Sequence, residues 1–330
     1  EGQKCFEFSE GFTRQEGSVT TMAGPPANFH GSQLARQQRK VAYLLLAPAV
    51  IILLALAIYP LIYAGTLSFR VDPLYNPKVA RFIGWRNFTD LFEDSRFWSS
   101  IRLTLYWAFV VVTIQMVLGF LLAILLDSKI RGAGLLRSLI IIPVFISPIA
   151  MGLNWRFIFE PVTGLANWIL SNGLGFEKYS WLSHVDTALG TLMLVDCWQW
   201  IPFVALILLA GMQSVSPEIV EAARLDRIRG IKFYTKIMLP LIRPVIMVVI
   251  LIRLVDEIRM FDLNYIMTEG GPGSSTLLAS TYDYTIFKHG HLGLMAACGF
   301  LILLLINGVV GIFLNTLYRS EKAARQENMR

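Results

Sequence analysis

Residues 103–126 read LTLYWAFVVVTIQMVLGFLLAILL, a run of 24 residues without one charged side chain. Because about 20 apolar residues cross the hydrocarbon core of a bilayer as a helix, this stretch predicts a membrane span. The whole chain agrees with it: 55% of its 330 residues are hydrophobic and 16% are charged, whereas about 25% are charged in soluble proteins. The composition excludes an ordinary soluble domain and predicts an all-α polytopic membrane protein.

Hydropathy predicts six spans, at residues 41–64, 103–126, 135–158, 189–212, 244–262 and 292–317. The fifth is the weakest, because Arg253, Asp256, Glu257 and Arg259 follow a short apolar stretch. It is kept because an even number of crossings places both termini on the side where the short loops are rich in Lys and Arg. We therefore expect one six-helix membrane domain, residues 41–318, between a partly disordered N-terminal tail, 1–40, and a C-terminal tail, 319–330, both cytoplasmic.

The charge pattern and the missing motifs exclude several function classes. The formal charge is +6, but the basic residues stand at the ends of apolar runs, which favours membrane topology over nucleic-acid binding. The three cysteines are too scattered for a disulfide framework or a metal site. No phosphate loop, HExxH or GxSxG motif occurs. We expect no catalytic residue, no metal and no cofactor in this chain.

The segment 213–240 is predicted to be a folded inner loop. Ser216-Pro217-Glu218 is a helix-start signal, with Ser at the cap and Pro at the first helical position. A short amphipathic helix should follow and end at Gly230. A surface helix of this kind can bind a partner protein or lie on lipid headgroups.

Within this loop, Glu221-Ala222-Ala223 and Leu239-Pro240 resemble the EAA loop of permease subunits of binding-protein-dependent ABC importers. The residues from Trp198 to Phe203 and the sequence 268–272, TEGGP, are similar to the carbohydrate-uptake branch, of the maltose and glycerol-phosphate type. One departure is that the family pattern has Gly after the Asp, whereas Arg227 follows Asp226 here, which predicts a differently shaped turn.

The resemblance implies a location in the bacterial cytoplasmic (inner) membrane and a set of partners. These are a second related permease, two copies of an ATPase that binds MgATP, an extracytoplasmic solute-binding protein, and a carbohydrate substrate. It also implies that the loop docks on the ATPase. The coupling residues it implies are Glu221, Ala222, Ala223, Asp226, Gly230, Leu239 and Pro240.

Two clusters at helical spacing are candidates for binding substrate. A charge at bilayer depth costs about 2.5 to 3.5 kcal/mol, so several on one helix predict a polar path or internal pairing. Arg253, Asp256, Glu257 and Met260 share one face of the fifth span, and Asp196, Gln199, Trp200 and Phe203 recur along the fourth. The helices that flank the EAA loop supply the sugar contacts in maltose-type relatives. The alternatives are an internal ion pair of Arg253 and aromatic packing of Trp200.

The sequence thus predicts half of the translocation pathway of an ATP-driven importer of a sugar, polyol or glycoside. The alternative is a secondary solute transporter. That class requires inverted repeats with broken helices, and no such repeat is visible in the sequence.

Overall fold

The computed structural model describes residues 31–71, 74, 78, 80–127 and 133–327. Its contacts divide the chain into two units, residues 1–59 and 60–330. The first unit contributes the beginning of α1, whose side chains from 41 to 59 are almost all exposed. All sites discussed below lie in the second unit. Residues 1–30 and 328–330 lie outside the described residues, and the partial disorder predicted for the N-terminal tail stays a prediction.

The described chain is predominantly helical, as predicted. Its helices are α1 (Gly31–Ser68), α2 (Arg86–Glu93), α3 (Ser95–Asp127), α4 (Ala133–Ile140), α5 (Pro148–Ile158), α6 (Leu165–Trp168), α7 (Val185–Gln213), α8 (Pro217–Leu225), α9 (Ile231–Phe233), α10 (Leu239–Leu241), α11 (Arg243–Ile258), α12 (Asp262–Thr268), α13 (Ala279–Lys288) and α14 (Leu292–Glu327). A 3₁₀ turn (Ile142–Phe145) and two π turns (Ile169–Gly173 and Tyr234–Met238) extend some of them. Two short strands, β1 (Arg70–Val71) and β2 (Arg81–Phe82), pair antiparallel, with Arg70 opposite Phe82.

Four helices are long and apolar enough to cross a membrane, and they contain four of the predicted spans. They cover Val41–Ser68, Ser95–Asp127, Val185–Gln213 and Leu292–Thr316. The other two predicted spans correspond to bent pairs of helices, Gly134–Phe145 with Pro148–Ile158 and Ile231–Leu241 with Arg243–Ile258. Within the described residues the chain therefore has four candidate spans, or six if each bent pair is one span.

The predicted third span, 135–158, is not one straight helix. Its two segments meet at an angle of 95°. Pro148 begins α5 and has no backbone N–H, and Ser147 before it is extended (φ −56°, ψ 133°). Because a residue before proline avoids the helical region, the helix must stop there. The second bent pair turns by 75° at Ile242, two residues before Pro244.

The packing of α3 against α7 forms the centre of the bundle. At Gly119 a β-carbon would stand 2.6 Å from Cγ1 of Val204, so the absence of a side chain permits this close approach. Buried apolar side chains surround the contact, among them Trp107, Val111 and Leu192. Helix α11 packs against α3, α7 and α14. The two helices with the predicted substrate residues therefore meet in the core.

The helix predicted in the inner loop is present as α8, and its start is confirmed. Ser216 occupies the cap position with extended dihedral angles, and Pro217 is the first helical residue. The predicted end at Gly230 is wrong, because the helix ends at Leu225. Gly230, with φ of 61°, instead precedes the next short helix, α9.

Candidate functional site

A network of charged and amide side chains joins α3, α7 and α11 in the core. Arg253 forms an ion pair with Glu257, one turn further along α11. Nη2 of Arg253 also lies 3.7 Å from Oδ2 of Asp196 on α7. Nε of Arg253 donates to Oε1 of Gln115 at 2.9 Å. All four side chains are at most 1% exposed. They form a buried polar cluster inside one subunit.

The amide and indole donors of α3 complete this cluster. Nε2 of Gln115 donates to Oδ2 of Asp196 at 2.7 Å and lies 3.3 Å from Oε1 of Glu257. Nε1 of Trp107 donates to Oε2 of Glu257 at 2.8 Å. Because a buried charge costs several kcal/mol unless it is paired and hydrogen-bonded, these contacts are what allow the charged groups to be buried.

A cavity of about 280 Å³ borders the cluster. Its wall is formed by side chains from α7, α11 and α12 together with Pro148. The lining residues include Gln199, Trp200, Asp256, Arg259 and Met260. Asp256 is half-buried. Its Oδ2 lies 3.5 Å from Nη1 of Arg253, and its Oδ1 lies 2.7 Å from Nη2 of the exposed Arg259. The cavity therefore presents an aromatic ring, a thioether and a carboxylate that is held between two guanidinium groups.

The ring of Trp200 and the guanidinium of Arg253 contact each other, and both residues line the cavity. The Cζ atom of Arg253 lies 4.4 Å from the ring centroid, a cation–π contact. Phe203 packs edge-on against the same ring, with 5.8 Å between centroids. Nε2 of Gln199 donates to the backbone oxygen of Ile146 at 2.9 Å. One face of Trp200 is thus occupied by protein.

The eight predicted substrate residues fall into two groups. Five line the cavity: Gln199, Trp200, Arg253, Asp256 and Met260. Asp196 and Glu257 lie fully buried behind it, and Phe203 packs beside it. The internal pairing of Arg253, stated above as an alternative, is present in the structure. A contact of any of these residues with substrate stays a prediction.

The sequence analysis did not identify Trp107, Gln115 and Arg259 as members of this region. Gln115 could have been predicted as a site residue, since it is a polar residue in the middle of the apolar run 103–126. Arg259 stands three residues after Asp256 on the same helical face, the spacing of an ion pair. Trp107 had no distinguishing signal, because aromatic residues are common in spans.

The second candidate site is the exposed surface of α8. Glu221 and Ala222 are exposed, whereas the adjacent Ala223 is 4% exposed and faces the protein. Leu225 and Ile231, which lie just after, are 84% and 81% exposed. A cavity of about 580 Å³ lies against this helix and the chain that follows it. Exposed large apolar residues around a charged side chain are typical of a protein interface.

The remaining predicted coupling residues are also at the surface. Asp226 and Gly230 are exposed in the turn after α8, and Leu239 and Pro240 are exposed in α10. The hydroxyl of Tyr234 donates to Oδ2 of Asp127 at 3.4 Å, which ties this loop to the end of α3. The loop is thereby fixed to the helix that carries Gln115 of the buried cluster.

Arg227 adopts the conformation that favours glycine, with φ of 57°. The N–H of Arg227 donates to the oxygen of Arg224 at 3.1 Å, and the N–H of Ile228 donates to the oxygen of Ala223 at 2.9 Å. This pair of hydrogen bonds is a Schellman motif, in which glycine usually occupies the left-handed position. Arginine here therefore occupies a backbone position that glycine favours, and a difference between this turn and that of the family stays a prediction.

Two acidic side chains outside the spans have opposite electrostatic environments. Asp94 is partly shielded, but backbone and side-chain donors from Arg96 and Tyr282 hold its pKa below the usual value. Burial raises the pKa of Asp283 on α13 to about 7, and its Oδ1 has no hydrogen-bond partner among the described residues. Asp283 is therefore a half-buried acid, with one inaccessible carboxyl oxygen and no cationic partner in the described part of the chain.

The fold and this buried charged network define a polytopic helical protein of the membrane transport class. The family described as "Binding-protein-dependent transport system inner membrane component" matches residues 115–321. The chain belongs to this family of ABC transporter permease subunits, which are non-catalytic inner-membrane components.

Curated relatives and solved structures agree with this assignment. The trehalose/maltose transport system permease protein MalF of Thermococcus litoralis is 31% identical over 283 residues, 86% of this chain and 95% of the relative. The trehalose transport system permease protein SugA of Mycobacterium tuberculosis is 32% identical over 284 residues, 86% of this chain and 90% of the relative. A bacterial ABC transporter that imports the acidic polysaccharide alginate has the same fold, with a TM-score of 0.75, 21% identity, and coverage of 87% of this chain and 99% of that one.

Proposed function

We propose that this chain is one of the two transmembrane subunits of an ATP-driven sugar importer. The observation that carries the proposal is helix α8, which leaves Glu221 and Ala222 exposed on its surface beside the apolar Leu225. The named substrates of the two relatives, trehalose and maltose, support a sugar over a polyol or glycoside. Family membership favours this class over a secondary transporter.

In this proposal each bent pair of helices is one span, which gives six spans with both termini in the cytoplasm. The partners are a second permease, two ATPase subunits and an extracytoplasmic solute-binding protein. The ATPase subunits bind and hydrolyse MgATP, and this chain holds no cofactor. The segment Glu221, Ala222, Ala223, Asp226, Gly230, Leu239 and Pro240 contacts the ATPase. Closure of the ATPases then moves α8 and, through Tyr234 and Asp127, the end of α3.

The substrate path runs along the cavity beside Trp200, Asp256 and Met260. A carboxylate can accept hydrogen bonds from hydroxyl groups, and an aromatic ring can stack on the C–H face of a sugar. Because one face of Trp200 is covered by Arg253, a sugar can stack only on its other face. Gln199 and Phe203 support the ring, while Asp196, Arg253 and Glu257 hold the two helices in register.

Coupling is tested by ATP-dependent uptake in vesicles that contain the assembled transporter and its binding protein. Glu221→Ala should reduce uptake at least about tenfold and leave the amount of assembled permease unchanged, since its side chain is exposed. The matched control is Glu177→Ala, which removes an exposed acid from another loop. Normal uptake by the Glu221 variant would contradict the proposed coupling.

The path is tested with the same vesicles and labelled trehalose. Trp200→Ala and Asp256→Asn should lower uptake while assembly and ATPase docking persist. Asp186→Asn, an exposed acid at the start of α7, is the control. If both cavity variants transport at the wild-type rate, the cavity is not on the path.

A further inference from the structure

The buried cluster contains one more acid than its cation can neutralise. Asp196, Arg253 and Glu257 carry two carboxyl groups and one guanidinium, and all three side chains are at most 1% exposed. Asp256 does not correct the balance, because its carboxylate is shared with the exposed Arg259 at 2.7 Å. Two ionised carboxylates would leave one uncompensated negative charge in the core, which costs several kcal/mol.

No other described charge around the cluster can supply the balance. From α3 the facing groups are the indole of Trp107 and the amide of Gln115, both neutral. From α7 they are Asp196 itself and the adjacent thiol of Cys197. Helix α14 also packs against α11, and its residues 292–316 include no charged side chain. The missing positive charge must therefore come from a bound cation or a proton.

The hydrogen bonds show which acid is ionised. Glu257 receives Arg253 and Gln115 at Oε1 and Trp107 at Oε2, so both of its oxygens accept from donors. Asp196 accepts a hydrogen bond only from the amide of Gln115, at Oδ2, and its buried Oδ1 accepts from no donor among the described residues. A carboxylate surrounded by donors is stable in its charged form, whereas an oxygen without a donor is suited to carry a proton.

The two acids also share the same donors. Nε2 of Gln115 donates to Oδ2 of Asp196 at 2.7 Å and to Oε1 of Glu257 at 3.3 Å, and Nη2 of Arg253 contacts the same two oxygens. Two ionised carboxylates that share a single buried cation repel each other, and a proton on one of them removes that repulsion. A metal ion would need more ligands, and no group of three His, Cys, Asp or Glu side chains that could hold one occurs in the described chain.

We infer that the Asp196–Glu257 pair is a proton-binding site: Asp196 carries one proton while Glu257 stays ionised, which makes the cluster with Arg253 electrically neutral. The proton is taken from water when the core assembles. The site joins α3, α7 and α11 directly behind the cavity wall formed by Trp200. It is a property of this chain alone and does not depend on the substrate proposed above.

Infrared difference spectroscopy of the full chain, assembled with its partner subunits, tests the inference. The wild type should show the carbonyl band of a buried protonated carboxylic acid, and the band should persist at about pH 9. At that pH Asp283, with a pKa of about 7, is ionised and does not contribute. Asp196→Asn should remove the band and leave thermal stability close to that of the wild type, since the amide has the shape and charge of the protonated acid.

Glu257→Gln gives the second, independent arm. With its neighbour neutral, Asp196 should ionise and pair with Arg253, so this variant also loses the band although it retains the aspartate. Asp283→Asn is the control and should keep the band at about pH 9. A wild type without the band, or a band that survives either variant of the pair, would overturn the inference. A band that appears only when sodium is withdrawn would also overturn it, because a cation would then occupy the site.

Discussion

The buried cluster and the exposed helix α8 each carry three ionisable side chains, and the two regions use them in opposite ways. In the cluster, Arg253 contacts both Asp196 and Glu257, and all three side chains are buried. On α8, no ion pair of the described residues involves Glu218, Glu221 or Arg224. The comparison teaches that the core charges stabilise the permease itself, whereas the charges of α8 are available to another protein.

The largest effect should follow from removing the cation of the cluster. Arg253→Met leaves the buried carboxylate of Glu257 without its counter-charge, and we expect it to destabilise the subunit by about 3 to 5 kcal/mol. Thermal unfolding of the assembled protein in detergent measures this. Arg259→Met is the control and should cost less than about 1 kcal/mol, because that side chain is exposed. Equal effects of the two variants would remove the distinction between core and surface charges.

A further acid, the half-buried Asp283, lies outside the cluster, and no cation among the described residues pairs with it. Burial raises the pKa of Asp283 from 3.8 to about 7, so the folded state holds the proton more tightly than the unfolded state. The resulting stability is complete below about pH 4 and is lost as the pH rises to about 7. Asp283→Asn should therefore stabilise the protein at about pH 8, by about 4 kcal/mol at most, and have little effect at about pH 4. Unfolding curves at the two pH values decide this, and an effect that does not vary with pH would contradict it.

The local features of both regions could be read from the sequence. The Ser216-Pro217 signal gave the start of α8, because capping and the fixed φ of proline act within one turn. The apolar runs gave α3, α7 and α14 for the same reason. The end of α8 was predicted wrongly, because an arginine, unlike a glycine, does not indicate a left-handed backbone conformation at position 227.

The long-range features could not be read in this way. Helical spacing placed Arg253 and Glu257 on one face, but it did not reveal that Gln115, 138 residues before Arg253, reaches them. A proline stands at or near each bend, Pro148 and Pro244, and could have indicated it. Hydropathy does not show the bends, because it is averaged over a window that spans them. Pairing partners from other helices are set by packing, which a single sequence does not display.

The two alanines of the coupling motif allow the exposed and buried sides of α8 to be compared directly. Ala223→Leu inserts three carbon atoms where the side chain is 4% exposed, and it should destabilise the protein by about 1 to 3 kcal/mol. Ala222→Leu projects outward and should leave stability unchanged. Co-purification with the ATPase should instead fail for Ala222→Leu, since the added bulk lies in the proposed interface. If Ala222→Leu unfolds the subunit while Ala223→Leu does not, the assignment of the two sides is reversed.

The smallest effect concerns the turn that ends α8. Arg227 lies in the left-handed region at φ of 57°, where a residue with a β-carbon costs about 1 to 2 kcal/mol. Glycine avoids this cost but loses more chain entropy on folding, by roughly 0.5 to 1 kcal/mol, so Arg227→Gly should stabilise the subunit by about 1 kcal/mol at most. Arg224→Gly, inside the last turn of the same helix, should destabilise it by about 1 kcal/mol, because glycine is a poor helix former. Opposite shifts in melting temperature for these two exposed arginines would locate the backbone strain at position 227. A shift of the same sign in both would mean that loss of positive charge, and not the left-handed turn, sets the stability of this surface.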